Sequence, residues 1–335
     1  MEYVTLGKTG LRVSRMGLGG IPIQKIDAEG TKTLLHKLAD RGVNYIDTAR
    51  GYTVSEEYLG YALEGIRDRF IIATKSMART KEAMAEDIEK SLHNLRTDHI
   101  ELYQVHNPSM EQLDQVIGEG GALEALLEAK NAGKIGHIGI TAHSTEVFER
   151  ALTLDWVETI MFPYNIVEQQ GAELIRRCGE KNIGFIDMKP LAGGAIEDGT
   201  LALRYVCSNP DVTITIPGMA EIRELEENQK ACENQEPLTK EEKEKIQAVR
   251  DQLGTDFCRR CNYCAPCSVG IQIPSVFLFA GYLQRYDLEQ WARDRYSTLK
   301  VKASACIGCG KCEPRCPYHL PIREKLKICA ADFGE

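Results

Sequence analysis

Eight short apolar stretches recur along the first two-thirds of the chain, and stretches with helical character separate them. They span residues 15–20, 45–49, 70–75, 100–106, 135–141, 159–165, 184–190 and 212–218. Nearly continuous apolar strands that alternate with amphipathic helices predict a parallel sheet covered by helices. Eight such units in roughly 220 residues favour a (β/α)8 barrel, and a doubly wound open sheet is the alternative.

The composition changes after Leu253. Residues 220–253 are charged and helical in pattern, whereas the residues beyond them are rich in cysteine, glycine and basic side chains. At 335 residues the chain is long enough for one large domain and a small one. We therefore predict a barrel domain over 1–253 and a second domain over 254–335.

Charge and hydropathy exclude several classes of partner. The formal net charge is -8, which disfavours nucleic acid and anionic membrane surfaces as partners. No apolar run approaches the roughly 20 residues that a membrane-spanning helix needs. The first residues lack the basic-then-apolar pattern of a signal peptide. We expect a cytoplasmic protein that acts on a small molecule.

Four polar residues lie at or just after the ends of three consecutive predicted strands. Asp47 ends the second strand and Tyr52 follows it, Lys75 ends the third, and His106 ends the fourth. In a barrel of this type the C-terminal ends of the strands form the active face. One such residue alone would be weak evidence, because a strand-end lysine often only extends to solvent. Four together predict a catalytic group.

Seven motifs carry a family resemblance. They are "KTGLRVSRMGLGG", "YIDTARGY…SEEYLG", "IIATK", "ELYQVH", "IGHIGIT", "MKPLAGG" and "TIPG…LEEN", in this order over residues 1–235. In these motifs the chain resembles the aldo/keto reductase family. The resemblance implies a (β/α)8 barrel, reversible reduction of a carbonyl group by NADH or NADPH, and a catalytic set of Asp47, Tyr52, Lys75 and His106.

The resemblance also implies a role for each catalytic residue. Tyr52 would give a proton to the carbonyl oxygen. A phenol with its ordinary pKa of about 10 is a weak acid for this task, and the Lys75 ammonium would lower that pKa. Asp47 would hold Lys75 in position, and His106 would orient the carbonyl and stabilise the developing negative charge. An Asp–Lys pair with no catalytic role is the alternative.

The nucleotide pocket departs from the family pattern at four positions. Thr141 and Ala142 replace a Ser-Asn pair, and Met188 replaces an aromatic residue. Glu224 is at the position where the family usually has an arginine that binds the 2′-phosphate of NADP. NADP and NAD therefore both stay open, and a flavin is a further alternative. By resemblance, the residues that would contact the cofactor are Gly20, Thr141, Met188, Pro217, Gly218, Glu227 and Asn228.

Two cysteine groups form an internal repeat in the second domain. The later group has the spacing C-x2-C-x2-C-x3-C followed by proline, which is typical of bacterial ferredoxins and predicts iron–sulfur ligation. Four-cysteine zinc sites are the alternative. The groups are Cys258, Cys261, Cys264 and Cys267, and Cys306, Cys309, Cys312 and Cys316.

Likeness to two-cluster ferredoxins implies two [4Fe–4S] clusters with exchanged fourth ligands. One would take the first three cysteines of the first group with Cys316, and the other would take Cys306, Cys309 and Cys312 with Cys267. The stretch 276–296 between the groups is helical in pattern. The expected second domain is therefore a small, mainly helical ferredoxin-like module.

Hydride transfer moves two electrons together, whereas a cluster passes one at a time. The clusters could exchange electrons with a ferredoxin-like partner, through a flavin or in paired steps, to serve reduction of the carbonyl or oxidation of the alcohol substrate. They could instead be structural or redox-sensing beside an ordinary NAD(P)H reductase. A third hypothesis is an electron-transfer protein with a catalytically idle barrel. The four catalytic-type residues argue against the third.

Overall fold

The computed structural model describes residues 1–254, 256–260, 262–316 and 318–335. These residues form two compact units. The first contains residues 1–165, 169–190 and 198–238, and the second contains 166–168, 191–197 and 239–335. The predicted boundary near Gly254 follows a helix that belongs by its contacts to the second unit. Where each domain ends stays a prediction.

Short strands and helices alternate through the first unit, and the second unit is helical. The strands are β1 Tyr3–Thr5, β2 Arg12–Ser14, β3 Leu18–Gly19, β4 Tyr45–Asp47, β5 Ile71–Ser76, β6 Ile100–Val105, β7 Ile135–Thr141, β8 Thr159–Pro163, β9 Gly184–Met188 and β10 Ile214–Ile216. The helices are α1 Ala28–Asp40, α2 Ser55–Ala62, α3 Lys81–Asn94, α4 Met110–Ile117, α5 Ala122–Asn131, α6 Thr145–Ala151, α7 Ala172–Glu180, α8 Gly199–Cys207, α9 Ile222–Glu233, α10 Lys240–Leu253, α11 Ile273–Gln284, α12 Glu289–Ser297 and α13 Ile322–Asp332.

Strands β3 to β10 form one parallel sheet of eight strands in chain order. Its first and last strands meet through parallel bridges of Met16 with Thr215 and of Gly19 with Gly218. Seven of the eight predicted stretches contain one of these strands, and the stretch 70–75 includes all of β5 except its last residue. The predicted (β/α)8 barrel is therefore confirmed. The C-terminal ends of the strands consequently share one face, as the site requires.

The N-terminal hairpin of β1 and β2 was not predicted from the sequence. Its strands pair antiparallel with three residues each, which is too short for an alternating pattern to stand out. Leu6, between the two strands, is fully buried and packs in the same apolar cluster as barrel residues such as Met161 and Ile186. The hairpin therefore contributes to the core of the barrel.

Helix termini follow the capping signals in the sequence. The Thr80 side chain caps the first turn of α3. Thr239 caps α10 by accepting a hydrogen bond from Glu242 N at 3.1 Å, and the Glu242 side chain accepts one from Thr239 N at 2.7 Å. This reciprocal pair satisfies two amides that the helix leaves open.

The second unit is built from helices, as predicted. The stretch 276–296 is two helices rather than one, because the chain turns between α11 and α12, where Asp287 has a left-handed φ of 52°. Apolar residues of α11 and α13, among them Val276 and Leu326, form its core with several cysteines. Within the residues that the structure describes, no helix has both the length and the apolar character needed to cross a membrane.

Candidate functional site

Asp47 and Lys75 form a buried ion pair at the ends of neighbouring strands β4 and β5. Their exposed fractions are 3% and 1%. Lys75 Nζ contacts Asp47 Oδ1 and donates a second hydrogen bond to the Thr48 carbonyl oxygen at 2.7 Å. Gln104 on β6 donates its Nε2 to Asp47 Oδ2 at 3.2 Å. The ammonium is consequently held by two acceptors and cannot swing away from the end of the barrel.

Burial acts in opposite directions on the two charges of this pair. It lowers the pKa of Lys75 from its ordinary value, and the neighbouring Asp47 carboxylate opposes that change. It raises the pKa of Asp47, and Lys75 and Gln104 oppose that change. Each charge therefore offsets part of the cost of burying the other.

Tyr52 and His106 complete the group. Lys75 Nζ lies 4.9 Å from the centroid of the Tyr52 ring. The Tyr52 and His106 ring centroids are 6.3 Å apart, with the rings nearly perpendicular at 86°. Both rings are half-buried, whereas the ion pair is fully buried. The structure thus brings together all four predicted residues, and their catalytic roles stay predictions.

Four of the seven predicted nucleotide residues follow one edge of the barrel. Met188 ends β9 beside Ile216 of β10. Pro217 comes next, and its carbonyl oxygen accepts a hydrogen bond from Gly19 N at 2.9 Å. Gly218 bridges to Gly19, and Gly20 N donates to the Asp47 carbonyl oxygen at 2.7 Å. Residues Met188, Pro217, Gly218 and Gly20 therefore form a continuous row that leads to the ion pair.

The other three lie apart from this row. Thr141 ends β7, and its hydroxyl accepts a hydrogen bond from Asn107 N at 2.9 Å. Asn228 is buried on α9, whereas Glu227 on the same helix is exposed and pairs with Arg223 at 3.1 Å. Glu227 and Asn228 are neighbours on α9, whereas Thr141 is on a different element, and the contact of all three with a nucleotide stays a prediction.

The N-terminus of α9 carries a carboxylate. Glu224 Oε2 accepts hydrogen bonds from Ala220 N at 2.7 Å and from Glu221 N at 2.9 Å. These amides would otherwise be free to bind an anion such as a phosphate. A negative side chain here opposes binding of a 2′-phosphate by charge as well as by occupying the donors.

Cysteines from both groups line one cavity in the second unit. The lining includes Cys267 from the first group and Cys306, Cys309 and Cys312 from the second. Glycines flank Cys309 on both sides with left-handed φ angles, 69° at Gly308 and 72° at Gly310. That arrangement lets the backbone curve closely around a bound group. The four thiols fit a cluster with the exchanged fourth ligand that ferredoxin likeness implies.

The structure describes three of the four cysteines in the other predicted ligand set. Cys264 and Cys316 are buried in the apolar core of the second unit, and Cys258 packs against that core. Cys261 lies outside the described residues. Among the described residues, no three histidine, cysteine or acidic side chains converge as ligands of a single metal ion. A [4Fe–4S] cluster takes thiolates around a core of several irons, so its ligands surround a cavity instead.

Comparison with known proteins decides the family. The model of the aldo/keto reductase family matches residues 15–201, more than half of the chain. The chain belongs to the aldo/keto reductase family. The model of the 4Fe-4S dicluster domain matches residues 257–321. This reductase-family chain therefore carries a dicluster domain after its barrel.

Curated relatives and a solved structure are similar to a large part of this chain. Aldo-keto reductase YhdN of Bacillus subtilis is 34% identical in an alignment of 201 residues that covers 54% of this chain and 59% of that protein. L-galactose dehydrogenase of Arabidopsis thaliana is 28% identical, over 71% of this chain and 90% of that protein. The solved holo structure of aldo-keto reductase AKR11C1 from Bacillus halodurans aligns with a TM-score of 0.65 at 26% identity, over 74% of this chain and 96% of that one.

Sequence reasoning missed a buried carboxylate next to the loop that carries Tyr52. Glu56 in α2 is 1% exposed and accepts hydrogen bonds from the hydroxyls of Thr74 and Ser91, each at 2.8 Å. It also pairs with Arg50. These contacts anchor both ends of the loop that carries Tyr52. The motif "SEEYLG" signalled an acidic helix start and gave no sign that one of its carboxylates is internal.

A second buried carboxylate anchors the first cysteine loop. Glu168 is fully buried, and its Oε1 lies 2.6 Å from Nη2 of Arg260, both within the second unit. Arg260 Nη1 also donates to the Cys258 carbonyl oxygen at 3.3 Å. The ion pair therefore fixes the backbone beside a predicted cluster ligand.

Removing this carboxylate should destabilise the second unit. Glu168→Ala leaves a buried guanidinium without its charge partner, which costs about 3–5 kcal/mol. We expect the urea concentration at the midpoint of unfolding to fall sharply. Unfolding is monitored by the cluster absorbance near roughly 400 nm. Glu173→Ala removes an exposed carboxylate from α7 and should leave the midpoint almost unchanged. Equal midpoints for the two variants would show that the pair does not anchor the loop.

Proposed function

We propose that this protein reversibly reduces a carbonyl group to an alcohol, with a nicotinamide nucleotide as hydride donor and Tyr52 as proton donor. The observation that carries the proposal is the buried Asp47–Lys75 pair whose ammonium lies 4.9 Å from the Tyr52 ring centroid. A fixed positive charge beside a phenol favours its ionised form and so makes it a stronger acid. This is the arrangement that proton donation near neutral pH needs.

Each side chain has a separate task in the proposed reaction. The nicotinamide, when bound, supplies the hydride that reduces the carbonyl carbon. Tyr52 gives its proton to the carbonyl oxygen, and Lys75 stabilises the phenolate that remains. Asp47 and Gln104 hold Lys75 in place through the hydrogen bonds described above. His106, whose ring lies edge-on to Tyr52, orients the carbonyl oxygen towards the phenol.

The row of Met188, Pro217, Gly218 and Gly20 is the edge we assign to the nicotinamide end of the nucleotide. Its residues offer an apolar side chain and backbone groups, which suit the uncharged face of a ring. At the other end, the Glu224 carboxylate occupies the amides at the start of α9. This supports NADH over NADPH as the donor.

We propose two [4Fe–4S] clusters in the second unit, with the exchanged ligand sets. The supporting observation is the cavity that Cys267 shares with three cysteines of the second group. When bound, such clusters supply one-electron transfer. Cys309 is exposed, and Ile307 beside it is 67% exposed. These residues support electron exchange with an external one-electron carrier such as a ferredoxin.

One anaerobic experiment tests these assignments. The holoprotein is mixed in turn with NADH, NADPH and reduced ferredoxin, with and without an aromatic aldehyde. We expect NADH to be oxidised in step with alcohol formation, NADPH to react more slowly, and reduced ferredoxin to bleach the cluster absorbance near roughly 400 nm.

The outcomes separate the alternatives. Aldehyde reduction by NADH without any bleaching by ferredoxin would leave the clusters a structural or sensing role. Bleaching by ferredoxin without aldehyde reduction by any donor would make the barrel catalytically idle and the protein an electron carrier. A protein that contains zinc, and no iron or acid-labile sulfide after anaerobic purification, would contradict the cluster assignment.

A further inference from the structure

Arg79 lies in the segment between β5 and α3, four residues after Lys75. Its Nη2 donates to the carbonyl oxygen of His106 at 2.8 Å and to Oε1 of Gln112 at 3.4 Å. Its Nη1 lies 3.2 Å from the Ala78 carbonyl oxygen. All three acceptors are uncharged. The guanidinium is therefore fixed beside the residue that is expected to orient the substrate carbonyl, and nothing in these contacts neutralises it.

The charge of Arg79 is unbalanced. In the part of the chain that the structure describes, its hydrogen bonds go to uncharged acceptors and it forms no ion pair with a carboxylate. Burial lowers the pKa of Arg79 to about 10, and no acidic neighbour opposes that change. The group still carries its full charge at neutral pH. Its Nε is buried without an acceptor among the described residues.

This arrangement has a cost that the fold alone does not explain. Withdrawing a charged group even partly from water without an acidic partner is unfavourable. A buried N–H donor that has no acceptor adds to this cost. Arg50, another guanidinium near this end of the barrel, is paired with Glu56 and with Asp87. An unpaired arginine at the active face, where loops receive substrate, has the form of a binding group for an anion.

We infer that Arg79 binds an anionic oxygen group, a carboxylate or a phosphate, on the carbonyl substrate. This rests on the proposed function and names its substrate class: aldehydes or ketones that carry an acidic group, and the corresponding hydroxy acids. The planar guanidinium offers paired donors that match the oxygens of either group. Substrate that is held by its acidic end would then have its carbonyl near Tyr52 and His106.

Matched probes test the inference. The holoprotein is assayed with 4-carboxybenzaldehyde, its neutral methyl ester and 4-formylphenyl phosphate. In Arg79→Gln we expect kcat/KM for the carboxylate to fall about 10- to 100-fold, chiefly through KM, because a charge-assisted contact contributes roughly 1.5–3 kcal/mol. The methyl ester should change less than about threefold. Whether carboxylate or phosphate shows the larger fall identifies the anion preferred.

Controls separate binding from structure. Arg79→Lys keeps the charge and should recover part of the loss. Arg150→Gln removes an exposed guanidinium from α6 and should leave all three probes unaffected. An equal fall for the acid and its ester in Arg79→Gln would show that the residue only ties its segment to His106, and the inference would be wrong.

A binding measurement keeps this inference separate from the proposed function. The Kd of 4-carboxybenzaldehyde is measured by calorimetry in Tyr52→Phe and in the Tyr52→Phe, Arg79→Gln double variant. Weaker binding in the double variant supports the anion site even if the wild-type protein reduces none of the three probes. The same Kd in both variants overturns it.

Discussion

Tyr52→Phe is expected to lower kcat for carbonyl reduction by about a thousandfold, within the range that a general acid contributes. The variant removes only the hydroxyl group. Its ring can keep the packing against Lys75 Nζ and against the His106 ring that the wild-type structure shows. Substrate binding should change little, so the loss should appear in kcat rather than in KM.

Steady-state rates with NADH and a neutral aldehyde give this result directly. Tyr58→Phe, which removes a hydroxyl from the adjoining helix α2, is the matched control and should retain wild-type rates. Iron content and bleaching by ferredoxin should be the same in both variants, because the change is confined to the barrel. Turnover of Tyr52→Phe at the wild-type rate would mean that another group donates the proton.

The barrel could be predicted because its signal is repeated eight times. Each strand is buried on both faces, so it appears in the sequence as a short apolar stretch followed by an amphipathic helix. The polar residues that end strands β4, β5 and β6 stand out against this background. Because neighbouring strands of the barrel run parallel, their C-terminal ends lie at the same end of the barrel. This is why Asp47, Lys75 and His106 could be grouped without coordinates.

Features that depend on one particular tertiary contact could not be predicted. Glu56 and Glu168 look like ordinary acidic residues in the sequence, yet each is buried by partners far along the chain. Arg79 is informative for the opposite reason, since it forms no ion pair with a carboxylate among the described residues. Only coordinates show which charges are paired, and that is the information on which its assignment depends.

The cysteines are the most specific local signal in the sequence. Their spacing predicts the type of metal centre but not which cysteines bind the same cluster. Within one group, regular spacing alone gives no reason to assign Cys267 to a different cluster from its sequence neighbours. The exchange was implied by ferredoxin likeness. The cavity that Cys267 shares with Cys306, Cys309 and Cys312 supports it independently, because a ligand must line the space that the cluster fills.

Cys267→Ala is therefore expected to remove one cluster and to leave the other. Iron and acid-labile sulfide should each fall from about eight to about four per chain. The cluster lost should be the one held by the second cysteine group. Cys329→Ala, which changes a buried cysteine outside both groups, should retain the full iron content. The measurement is chemical iron and sulfide analysis after anaerobic purification, with electron paramagnetic resonance of the reduced protein.

Double variants identify which cluster Cys267 serves. If its ligand set is the exchanged one, adding Cys309→Ala to Cys267→Ala costs no further iron, because both residues hold the same cluster. Adding Cys264→Ala instead should remove the remaining cluster and leave the protein without iron. The reverse pattern, with Cys264→Ala costing nothing more and Cys309→Ala removing the remaining iron, would show that each group binds its own cluster.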